Sequence, residues 1–121
     1  MAGMTVKSFD QADEVRTPDK TRVDVLDLGV GKAARLTAQP GWRWSECIKP
    51  VVGGDSCQAH HVGVVVSGRM HVVHEDGSEG DASPGEAYVI EPGHDAWVVG
   101  DEPMVAYEFD SSTAQSYAKA D

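Results

Sequence analysis

Cys57-Gln58-Ala59-His60-His61-Val62-Gly63-Val64-Val65-Val66-Ser67-Gly68-Arg69 sets two metal-capable side chains, a thiol and an imidazole, just before a β-branched run. Val62 to Val66 is broken only by Gly63, which suits a strand buried on both sides. Four residues of straight strand span about 13 Å. Cys57 and His61 can therefore meet at one point only if the chain turns at Gln58-Ala59-His60. A second stretch, Gly85-Glu86-Ala87-Tyr88-Val89-Ile90-Glu91-Pro92-Gly93-His94-Asp95-Ala96-Trp97, again places a strand-like run, here with a Pro-Gly turn, beside a metal-capable side chain.

Short runs with turn residues between them surround these two stretches. Arg22 to Leu28 puts Val23 and Val25 at strand positions, with a slip at Leu26 or Asp27 that hints at a bulge. Ala33 to Ala38 is a second strand, ended by Pro40-Gly41. Trp42 to Ile48 reads as a third, with Trp42 and Trp44 on one face. Val51-Val52-Gly53-Gly54-Asp55 reads as a loop. Met70 to His74 leads into Glu75-Asp76-Gly77-Ser78, a hairpin signal. Tyr88 to Ile90 and Trp97 to Val99 flank Pro92-Gly93, and Met104 to Phe109 is the last strand. Only Ser111 to Ala120 has helical character. Residues 1–20 are polar and read as an N-terminal arm or a short edge element, leaving 21–121 as a single domain. Strands at roughly 8–12-residue spacing predict an all-β sandwich or barrel.

With 121 residues, the chain has enough for one core and too few for two. A formal net charge of −10 repels phosphate backbones and anionic membrane surfaces, so neither nucleic acid nor membrane is expected as a partner. No apolar run approaches the ~20 residues of a membrane span, and Met1 to Lys7 lacks the apolar core of a secretion signal. These features predict a cytoplasmic protein, in which Cys47 and Cys57 stay thiols.

Over about residues 40–110 the chain resembles the cupin superfamily, whose fold is a small jelly-roll barrel, the double-stranded β-helix. The first cupin motif carries two histidines one residue apart, then a glutamate, then a glycine. With Gly68 at the glycine, the glutamate position falls on His61 and the histidine positions on Asp55 and Cys57. In the second motif Gly85 and Gly93 fit, Glu91 holds the proline position with Pro92 shifted by one, and Ala96 holds the histidine position. None of the four customary ligands keeps its residue type. Cys57 and His61 are nonetheless good ligands for zinc, iron, nickel or copper. His94 lies two residues before Ala96, so a regular strand points it to the same inner face.

The candidate metal ligands are thus Cys57, His61 and His94, which would leave one coordination position open for water or substrate. The candidate ligand pocket is Trp42, Trp44, His61 and His94. The tryptophans could instead pack in the core or form a dimer surface. By strand parity His60 faces away from His61, and Trp97 lies outside the lumen. His71 and His74 read as surface residues. No residue is assigned a catalytic role: no Ser-His-Asp order appears, and Gly29-Val30-Gly31 opens no strand-to-helix phosphate loop. Three functions stay open. One is a barrel that binds a small molecule, with or without a metal. The second is a metal-dependent enzyme of isomerase or dioxygenase type, and the third a regulatory protein-binding cupin. A jelly roll has exposed sheet edges, and the N-terminal arm could cover one on a neighbour, so a homodimer is expected.

Overall fold

The computed structural model describes residues 3–109, so the helical reading of Ser111 to Ala120 lies outside the described residues. A 3-10 turn at Phe9–Gln11 precedes β1 (Glu14–Arg16), β2 (Thr21–Asp27) and β3 (Lys32–Ala38). Two one-turn helices follow, α1 (Trp44–Cys47) and α2 (Lys49–Val52). The chain then runs through β4 (His61–Ser67), β5 (Met70–His74), β6 (Glu79–Ala82), β7 (Ala87–Ile90), β8 (His94–Val98) and β9 (Met104–Phe109). No helix among the described residues is long and apolar enough to cross a membrane.

The strands form two antiparallel sheets. One has the order β1-β2-β3-β9-β4-β7, the other β6-β5-β8. Strand β9, the last among the described residues, pairs between β3 and β4 and joins the two halves of the large sheet. The inward residues of both sheets, among them Val23, Leu36, Val65, Met70, Ala96, Val98, Met104 and Ala106, make one buried cluster. Alternate side chains of a strand share a face, so this cluster is the direct product of period-2 apolar patterning.

In the first 20 residues the edge element is what forms: β1 pairs with β2, Glu14 opposite Val25. The slip expected in β2 is not a bulge. Its register with β3 runs without a break from Thr21↔Ala38 to Asp27↔Lys32. The alternation fails because Asp24, on the outer face, is wholly buried, bonded by Arg22 Nε at 2.8 Å and Arg35 Nε at 3.1 Å. Arg35 in turn lies under the Phe9 ring, 5.6 Å from its centroid.

Three further expectations are corrected. Trp42 to Ile48 is not a strand, because Trp44 opens α1. The Asp95 carboxylate of β8 accepts from Ser45 N at 3.2 Å and from Ser45 Oγ at 3.0 Å, satisfying a backbone donor of the first turn. Trp44, Cys47 and Ile48 are all buried, a helical i, i+3, i+4 set. Val51 and Val52 belong to α2 rather than to a loop. Strand β4 is not covered on both sides: its register shifts between Val65 and Ser67, and Val66 is exposed. The glycine that closes the first motif has a steric reason. Gly68 has φ +70, and a side chain there would run into the backbone of Pro103 and Met104.

Candidate metal site

Cys57 and His94 are backbone neighbours. Cys57 N donates to His94 O at 2.7 Å, and Gly93 N donates to Cys57 O at 2.7 Å. From this isolated bridge the chain passes through Gln58-Ala59-His60 and enters β4 at His61, which faces Ile90 of β7. The turn removes the strand-length obstacle, and Cys57 Sγ lies 3.9 Å from His61 Nε2. The His61 and His94 rings sit edge to face with centroids 5.1 Å apart. One ligand atom from each of Cys57, His61 and His94 falls within 4.8 Å of the others, and all three residues are buried. His94 shares its inward parity with Ala96, both buried on β8. Asp55, at a motif position, is exposed and outside the cluster. His60 turns away, its Nε2 3.5 Å from Glu91. Trp97 lies outside the lumen, between the Arg43 guanidinium at 4.4 Å and the His71 ring at 4.8 Å.

The outer partners of the two histidines decide which ring nitrogen faces the cluster. His94 Nδ1 lies 2.8 Å from the backbone oxygen of Glu91, which can only accept, so Nδ1 carries the proton and Nε2 is left as the ligand atom. His61 Nδ1 lies 2.9 Å from Glu108 Oε1, leaving Nε2 toward Cys57. Tyr88 Oη donates to the other carboxylate oxygen of Glu108 at 2.7 Å. A carboxylate or carbonyl behind a ligating histidine is the usual support of a protein metal site.

Glu108 and Tyr88 were not singled out from the sequence. The signal for Glu108 was present: Met104 and Ala106 face inward on β9, so a carboxylate two residues on is an inward charge in an apolar strand. Gly63 makes room for it. A Cβ at Gly63 would meet Tyr107 O at 2.5 Å, Glu108 Cγ at 2.7 Å and Tyr88 Oη at 2.9 Å. Gly63→Ala is therefore expected to destabilise the protein by about 1–3 kcal/mol through overpacking, read by urea unfolding. An unchanged midpoint would show that Glu108 and Tyr88 can shift without loss.

The charges at the cluster are set by competition. Burial opposes ionisation of Cys57, but its interactions with His61 first and His94 second outweigh it and lower the thiol from 9.0 to about 7. Burial likewise opposes the His61 cation, and the Glu108 charge with the Cys57 hydrogen bond raises it from 6.5 to about 9. Between these values the metal-free cluster holds a thiolate and an imidazolium. His61, raised by folding, contributes stability that is full below 6.5 and lost as pH climbs through about 9. Cys57, lowered by folding, contributes stability that is full above 9.0 and lost as pH falls through about 7. The two slopes oppose each other, so metal-free stability should be nearly flat from pH 7 to 9. Cys57→Ala should uncover the falling slope of His61. Urea unfolding at intervals across that range checks both, and a variant as flat as the parent would contradict the assignment.

The four residues expected to line a pocket do share one cavity. Trp42, Trp44, His61 and His94 enclose, with Glu108 and Ala96, a space of about 20 Å³. That is room for one water-sized atom, so a larger molecule can place no more than one atom there. A larger groove of about 560 Å³ lies alongside, floored by Val72, Tyr88 and Ile90, with Ile90 bordering both spaces.

No family model matches the chain. No match was found among the curated proteins. Solved structures do match. A Cupin 2 conserved barrel domain protein from Salinispora arenicola is 15% identical, with TM-score 0.62, over 94% of this chain and 95% of that one. A sugar phosphate isomerase from a cupin superfamily, from Silicibacter pomeroyi, is 17% identical, with TM-score 0.62, over 87% and 74%. The oxalate decarboxylase of Lactobacillus farciminis is 20% identical, with TM-score 0.54, over 78% of this chain but only 30% of that one. The two facing antiparallel sheets, the buried cluster at the mouth of β4 and β8, and these matches together identify the fold of this chain as the cupin fold, the double-stranded β-helix.

Proposed function

We propose that this protein is a metal-binding cupin-fold protein that holds a late transition ion, zinc foremost, at Cys57, His61 and His94 and acts on or senses a small organic molecule. One observation carries the reading. Cys57 Sγ and the histidine Nε2 atoms converge, while each Nδ1 is held by an outer acceptor, Glu91 O or Glu108. A thiol lowered to about 7 supports it, since thiolate is the ligating form. Sulfur with two imidazoles suits zinc, and iron or nickel after it. A bound ion would supply Lewis acidity to a ligand at the fourth position. His61 would be aligned by Glu108, and Tyr88 would hold that carboxylate in place.

Elemental analysis of protein purified without a histidine tag tests the reading. About one zinc, iron or nickel per chain is expected, and none after growth in metal-supplemented medium overturns it. A second reading, a metal-free binding barrel, is favoured by the groove of about 560 Å³, within the size range of small-molecule pockets. Catalysis of isomerase type is in keeping with the sugar phosphate isomerase that shares the fold.

A homodimer is proposed on the exposed Val66, Val89 and Phe109, which lie on the adjacent strands β4, β7 and β9. Light scattering at high concentration should give twice the 12.9 kDa chain mass, and a monomer there rejects it. The two buried free thiols, Cys47 and Cys57, are in keeping with a reducing cytoplasm.

A further inference from the structure

Trp42 and Trp44 are each 2% exposed, and the indole Nε1–H of each is buried with no hydrogen-bond partner among the described residues. Buried donors in folded proteins are nearly always bonded, because a donor stripped of water and given nothing in return is a net loss. Two of them two residues apart call for an acceptor. Both rings line the cavity of about 20 Å³ that also touches His61 and His94, a volume that fits one water-sized atom. Glu108 borders the same cavity, but its two oxygens already accept from His61 and Tyr88. Of the other walls, His94 Nε2 keeps a lone pair but takes no indole hydrogen bond, and Leu36, Met70, Ile90 and Ala96 offer nothing beyond the weak thioether of Met70.

We propose that Trp42 and Trp44 form a donor pair for a single oxygen acceptor held beside His61 and His94. The occupant is a water at rest and the carboxylate or carbonyl oxygen of a small guest when one enters. An indole N–H can donate and cannot accept. The pair therefore favours ligands that present oxygen and rejects those that present an amine hydrogen. Only the last link rests on the metal reading: with an ion bound by three protein ligands, this oxygen takes the open fourth position.

Indole resonances of ¹⁵N-labelled, metal-free protein test the pair directly, with Trp97 as the reference outside the lumen. Long-lived water cross peaks are expected at the Hε1 protons of Trp42 and Trp44. Added sodium formate, the smallest carboxylate, should remove those peaks and move both protons downfield. Loss of one donor in Trp42→Phe or Trp44→Phe should weaken formate about tenfold, the scale of one hydrogen bond to a charged group. If both indole protons lack a water contact and ignore formate, the proposal fails, and this reading needs only the unsubstituted protein. A parallel zinc titration separates the two ideas. Zinc uptake with silent indoles overturns the donor pair and leaves the metal site. Water-contacted indoles in a protein that takes up no zinc overturn the metal site and leave the donor pair.

Discussion

Replacing His94 with alanine is expected to lower zinc affinity by more than about a hundredfold and to leave the fold intact. Even an outer partner of a ligating histidine is worth about 10–100-fold in affinity, so loss of a ligand atom must exceed that. His94 sits at the start of β8, and its backbone pairing with Cys57 survives the substitution, so the site loses a nitrogen without losing its frame. Glu108→Gln should fall within the 10–100-fold range, because the amide oxygen can still accept from His61 Nδ1. His74→Ala, whose ring bonds Pro92 O outside the cluster, should bind zinc like the parent. Competition titration with a chromophoric chelator measures all three. Parent-like affinity in His94→Ala would remove His94 from the site.

The second large effect is on stability. Glu108→Ala is expected to destabilise the metal-free protein by about 3–5 kcal/mol at pH 7, the usual scale for breaking a buried ionic pair from one side. At that pH His61, raised to about 9 mainly by the Glu108 charge acting against burial, is a cation inside the barrel. Without Glu108 it must stay charged beside fewer partners or give up its proton, and the Tyr88 hydroxyl loses its acceptor as well. The cost should shrink above pH 9, where His61 is neutral in the parent too. Urea unfolding at pH 7 and pH 10 gives both values, and an equal cost at the two would mean that packing, not charge, keeps Glu108 in place.

The sequence by itself determined the class of fold, through short alternating runs with turn glycines between them. Such patterns need only neighbouring residues to be read, because a strand alternates its faces whatever it packs against. It also nominated Cys57, His61 and His94, since motif spacing and strand parity are local quantities. What it left illegible depends on partners far along the chain. β6, Glu79–Ala82, has no β-branched residue and pairs only because β5 lies beside it. α1 competes with a strand reading of Trp42 and Trp44, and the outcome rests on Asp95 capping Ser45 across 50 residues. The charge state of the site rests on Glu108, which reaches His61 across 47 residues. Only the tertiary structure could decide these points. A buried charge or an orphaned helix donor is stable solely where another segment supplies its partner, and no local pattern names that segment.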